Sequence, residues 1–122
     1  MYIKIDKNDY EVSTNLGTAY DIEAKFGKKI AELVQSIEDF NLEKCLEVIY
    51  FGFKRKNDIS FEDFKHLVFE SDNIGVVDLQ KELIVFFKLL ITKDQTEKQV
   101  REELKKTYED GLKEKQGEET KN

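Results

Sequence analysis

The stretch Asn57-Asp58-Ile59-Ser60-Phe61-Glu62-Asp63-Phe64 comes nearest to a recognisable chemistry, because its polar run, single apolar residue and acidic helix start look like the exit half of a calcium-binding helix–loop–helix. The register fails. With Ile59 at the eighth loop position, Gly52, Lys54 and Lys56 stand at positions one, three and five, where the ion needs oxygen ligands and two ammonium groups would repel it. His66 is the only histidine and falls within a predicted helix, with no nucleophile or orienting group paired to it by sequence. Ser13, Ser36, Ser60 and Ser71 lie in no Gly-x-Ser-x-Gly context, and there is no glycine-rich phosphate loop. One cysteine, Cys45, excludes an intramolecular disulfide and a paired-thiol zinc site; its place on an apolar helical stripe predicts a buried thiol packing as a small apolar group. Carboxylates are plentiful, but an acid–base pair needs unequal environments, and no spacing here marks one. These residues predict a non-catalytic protein with no metal and no cofactor.

The contiguous cations Lys54-Arg55-Lys56 lack the interleaved stacking aromatics and recognition-helix pattern of a nucleic-acid surface. They are expected to meet the negative pole of the helix they follow. A net charge of −6 agrees, since it would repel a phosphate backbone.

What remains is a surplus of apolar surface. Aromatic residues at 50, 51, 53, 61, 64, 69, 86 and 87 exceed what one stripe per helix requires. Most are expected in the core. Phe51, Phe86, Phe87 and Leu90 are assigned to a protein-binding surface, either a groove for an amphipathic helix or a self-association face.

The elements that would carry these residues follow from periodicity. Tyr2, Lys4 and Asp6 alternate with Ile3 and Ile5, Lys7-Asn8-Asp9 supplies turn residues, and Tyr10-Glu11-Val12 alternates again, which predicts a β-hairpin. Leu16, Ala19, Tyr20 and Phe26 mark a first helix closing on Gly27. Ile30, Leu33, Val34 and Ile37 mark a second, ending before Phe40. Asn41 caps a third, in which Leu42, Cys45, Leu46, Ile49, Tyr50 and Phe53 keep strict helical spacing while Val48 and Phe51 lie off the stripe, so that helix offers apolar groups to two neighbours, or to one neighbour and a partner protein. Ser60-Phe61-Glu62-Asp63 has the form of a capping box and opens a fourth helix, broken at Asp72-Asn73-Ile74-Gly75. A fifth, Val77 to Ile91, is apolar on nearly all sides from Leu83 onward except at Lys88, and must be covered by the rest of the domain or by another subunit.

Composition changes at Lys93: seventeen of the last thirty residues are charged. Thr96-Glu97-Lys98-Gln99 is a capping box for a helix with a thin seam at Val100, Leu104, Tyr108 and Leu112, predicted to be marginal by itself and disordered after Gly117. Proline is absent, although about six would be average for this length, and that favours helix beyond the hairpin. The chain therefore reads as α+β and mostly α: a hairpin and about five compactly bundled helices over 1–92, then a charged helix and tail over 93–122.

This order of parts resembles the tail assembly chaperone family of long-tailed bacteriophages and prophages. The resemblance rests on Ile3-Lys4-Ile5-Asp6-Lys7-Asn8-Asp9-Tyr10-Glu11-Val12, on Leu16-Gly17 with Phe26-Gly27, on Ile30-Ala31-Glu32-Leu33, on Leu46 to Lys54, and on the restart Ile59-Ser60-Phe61-Glu62-Asp63, covering roughly residues 1 to 91. It implies a chaperone that binds the tape measure protein, helps recruit tail tube protein, self-associates, and is absent from the mature virion. The lone cysteine, the lack of a basic start and apolar leader, and an apolar run from Leu83 to Phe87 too short for a membrane span predict a soluble cytoplasmic protein, and the resemblance implies that the cytoplasm is that of a bacterial host. The competing expectation is a small helical adaptor or regulatory phage protein acting on a host or phage partner.

Overall fold

A computed structural model describes residues 1–107. Strands β1 (Tyr2–Ile5) and β2 (Asn8–Glu11) pair antiparallel, with Ile3 opposite Tyr10 and Ile5 opposite Asn8. Helices α1 (Leu16–Phe26), α2 (Ile30–Gln35), α3 (Leu42–Phe53), α4 (Phe61–Phe69) and α5 (Val76–Ile91) follow, with a short 3₁₀ turn at Ile37–Asp39. A sixth helix, α6, occupies 97–107 of the described residues. The expected hairpin and mostly helical α+β architecture is present.

Local chemistry accounts for most boundaries. Asn15, Asn41 and Ser60 each accept from the backbone N–H three residues on, satisfying a donor that a helix start leaves free. Gly27 ends α1 at φ 65°, the left-handed conformation in which a side chain would be strained. At α6 the capping box is complete: Thr96 Oγ1 accepts from Gln99 N–H at 3.2 Å, and Gln99 Oε1 accepts from Thr96 N–H at 2.9 Å.

The hairpin turn lies earlier than expected. It consists of Asp6 and Lys7, not Lys7 to Asp9, and Asn8 already belongs to β2. Asp6 adopts φ 56°, as a two-residue hairpin turn demands, and short polar residues tolerate that conformation best. Tertiary contacts fix it there: Asp6 Oδ1 accepts from Ser71 Oγ at 3.0 Å and Asp72 N–H at 3.2 Å, while Asp6 N–H donates to Asn73 Oδ1 at 2.7 Å.

α3 is the central helix, packing on α1, α4 and α5. Val48, off the main stripe, is as fully buried as Leu46 and Ile49, so the helix does serve more than one neighbour. Phe53 links hairpin and bundle, its ring centroid 5.5 Å from Tyr10 and 4.3 Å from Phe64. α1 departs from its sequence pattern: Leu16 and Tyr20 are 82% and 72% exposed, and the buried side chains are Thr18, Ala19 and Ile22. Thr18 can be buried because its hydroxyl is satisfied by Ser13 Oγ at 3.2 Å and Asn15 Oδ1 at 3.0 Å.

The composition change at Lys93 is no break in packing. Val100 is completely buried against Val85 and Leu89, and Arg101 forks onto Glu82 with both Nη–Oε distances 2.8 Å. The described part of the charged segment thus covers the side of α5 that carries Val85 and Leu89. Tyr108, Leu112 and the predicted disordered end lie outside the described residues.

Candidate protein-binding groove

Of the four residues assigned to a binding surface, Phe51 alone is more than marginally exposed. Phe86 and Phe87 are 0% and 1% exposed and Leu90 is buried with them, all within the main core. This corrects the expectation for those three: α5 lies centrally, Phe87 meets Phe40 at 6.5 Å between ring centroids, and Phe86 lies against α3 at Gly52. Most of the apolar run is covered inside one chain, α6 closing the side that carries Val85 and Leu89, while Ile91 at its end stays 59% exposed.

Phe51 remains half-buried on the outer flank of α3. It lines a shallow groove of about 420 Å³ with Tyr50, Glu43 and Glu47 from α3, Lys54 just after that helix, Lys25 from α1, and Phe61 and Glu62 from α4. Its floor is aromatic. The Phe51 ring meets Phe26 edge-on at 6.5 Å, and Tyr50 stands 5.4 Å from Phe61 and 5.6 Å from Phe64. The Tyr50 hydroxyl donates to the Ile59 carbonyl at 2.7 Å, so the ring is held by its polar tip.

The rim carries both signs of charge, with Lys25 and Lys54 against Glu43, Glu47 and Glu62. Lys54 Nζ lies 4.6 Å from the Phe51 centroid, within cation–π range. Lys65 pairs with Glu43 at 3.1 Å and Glu62 at 3.4 Å, and its hydrogen bond to Glu43, chiefly, raises its pKa above the ordinary lysine value. A groove with an aromatic floor and mixed-charge rim suits an amphipathic helix, whose apolar side chains enter while its polar flanks meet the rim.

The basic triplet has other partners than expected. Arg55 pairs with Asp21 at 2.8 Å and Lys56 with Glu11 at 3.7 Å, and Lys54 covers aromatic rings. These side chains tie the end of α3 to α1 and the hairpin, where acidic groups were close enough to outcompete helix carbonyls. Cys45 is buried as expected, and desolvation raises its thiol pKa above the ordinary 9.0. His66 is exposed. Among the described residues no cluster of His, Cys, Asp or Glu is arranged to hold a metal ion, and no helix is long and apolar enough to cross a membrane.

Sequence reasoning missed a second apolar depression, of about 170 Å³, where Leu42, Phe69 and Val76 stand exposed around Val68, Ile74 and Leu79. The usable signal was Phe69 at the last turn of α4, an aromatic with no neighbour due to cover it.

No family model matches the sequence, and neither a curated protein nor a solved structure matches it.

Proposed function

We propose that the protein is a tail assembly chaperone of the long-tailed phage and prophage kind: a non-catalytic cytoplasmic binder that holds a helix of the tape measure protein in the Phe51 groove, and helps recruit tail tube subunits. The observation that carries this reading is the half-buried Phe51 on an aromatic floor open to solvent. The order of hairpin, capped helices and restart at Ser60, which resembles that family, points the same way. A long helical client needs its apolar seam covered before assembly. An acidic domain of net charge −6 can cover it and stay dispersed, because like charges keep the complexes apart.

The test is co-purification. The tagged chain, expressed together with a tape measure protein encoded in the same genome, is expected to carry that protein through affinity and size-exclusion steps as a stable complex. A tape measure protein that stays soluble alone while the chain elutes without it would overturn the reading and leave the helical adaptor in its place.

A further inference from the structure

α5 has two apolar faces. Leu83, Phe86, Phe87 and Leu90 are buried in the main core, whereas Val85 and Leu89 form a separate cluster closed by Val100 and flanked by Met1 and Leu104. The two sides of that second contact are unequal. On α5 both residues are nearly inaccessible, but Val100 is the only described α6 side chain that is wholly buried.

Polar groups set the register of α6. Arg101 donates to both Glu82 carboxylate oxygens and, at 2.9 Å, to the Tyr2 carbonyl; Glu97 accepts from Arg101 Nε at 2.9 Å and from Tyr2 N–H at 3.0 Å. The side chains of Arg101, Glu82 and Glu97 keep 34%, 23% and 27% exposure, so water and salt compete for this clasp. Releasing α6 would leave α5 standing on its first face. The hinge is short and anchored: Lys93 Nζ donates to the Leu89 and Thr14 carbonyls at 2.7 and 2.6 Å.

We propose that the Val85–Leu89 face of α5, with Glu82 at its rim, is a helix-docking site that α6 occupies in cis and that an amphipathic helix of another molecule takes when α6 swings out. α6 displays the chemistry the occupant must carry. It has apolar side chains four residues apart, as Val100 and Leu104 are, and an arginine directly after the first, whose planar fork matches the Glu82 carboxylate. Lysine there is no equivalent, because a point charge cannot make the paired contact. The site shares no lining residue with the Phe51 groove and stands independently of the tape measure reading.

The experiment uses the full chain and a fluorescent peptide with the sequence of residues 93–107. Arg101→Ala in the chain weakens the cis clasp, and the peptide should then bind a few-fold, up to about fivefold, tighter than to the parent, because more molecules are open. Adding Glu82→Ala should reverse most of that gain, since the peptide arginine loses its partner. In the parent, saturating peptide should speed hydrogen exchange over 97–107 while 83–90 stay protected. Equal affinity for parent and a folded Arg101→Ala chain, or binding indifferent to Glu82→Ala, would overturn the proposal. If the variant fails to fold, the parent decides: exchange over 97–107 unchanged at saturation overturns it.

Discussion

Gly52 and Phe86 meet so closely that a side chain at Gly52 has nowhere to go: a Cβ there would stand 2.8 Å from the Phe86 ring and 2.8 Å from Val12, and would run into the Ser13 carbonyl. At this contact α3, α5 and the exit of the hairpin share one point, and the Ser13 N–H donates to the Gly52 carbonyl at 3.0 Å. Two effects oppose each other in Gly52→Ala. Helix propensity favours alanine by about 1 kcal/mol, whereas overpacking a closed core costs about 1–3 kcal/mol or more when backbone is the obstacle. The clash wins, and the variant should melt well below the parent. Gly17→Ala is the control: its Cβ meets only the guanidinium of Arg55, a flexible group that can move aside, so the melting point should hold or rise. Equal behaviour of the two variants would contradict the packing described.

The docked α6 makes a second stability prediction. Val100→Ala removes two methyl groups from a fully buried site and should cost about 1–2 kcal/mol, lowering the melting point by roughly 5–10 °C. Arg101→Ala should cost less, about 1 kcal/mol or below, because its ion pairs are one-third exposed. A melting curve unchanged by Val100→Ala would mean that the segment beyond Lys93 contributes nothing to the fold.

Local signals in the sequence were reliable where a residue acts on its immediate neighbours. Asn41, Gly27 and the Thr96–Gln99 box do what their types and spacing predict, and Ser60 makes its half of the expected box by accepting from Asp63 N–H, because a cap needs only the backbone three or four residues away. The alternation of Ile3 and Ile5 likewise marks the buried face of β1. Residues that depend on distant partners were less legible. The turn at Asp6 is placed by Ser71, Asp72 and Asn73, some 65 residues away. Phe86 and Phe87 read as surplus because nothing local shows that α6 covers the neighbouring face of α5. Leu16 and Tyr20 fit a helix pattern equally well whether they face core or solvent, and here they face solvent. Phe51 and Val48 both lie off the main stripe of α3, yet Val48 is fully buried and Phe51 half-buried, so the stripe alone does not say which of them faces solvent.

Cys45 provides a chemical check on the core. Burial raises its thiol pKa by desolvation, so the folded state keeps a proton that the unfolded state gives up near the ordinary 9.0. The contribution to stability is fully present below that pH and is lost as pH rises from there through the raised folded value. At pH 8 the native thiol should therefore react with a disulfide reagent far more slowly than the same thiol in denaturant. Native and denatured rates of similar size would place Cys45 at an accessible surface.

The aromatic residues are best separated by charge insertion. Phe86→Asp and Phe87→Asp should each unfold the chain, because an unpaired buried carboxylate is too costly for a domain with about 5–15 kcal/mol of stability. Phe51→Asp, at a half-buried groove position, should fold with the parent's circular dichroism spectrum and a melting point within a few degrees, roughly 1 kcal/mol.

That variant tests the central claim most directly, through the soluble fraction of a tape measure protein co-expressed with the parent chain, with Phe51→Asp, or with no partner. The parent should raise the soluble fraction, and folded Phe51→Asp should give the level seen without a partner. A Phe51→Asp chain that solubilises the tape measure protein as well as the parent would contradict the assignment of client binding to this groove.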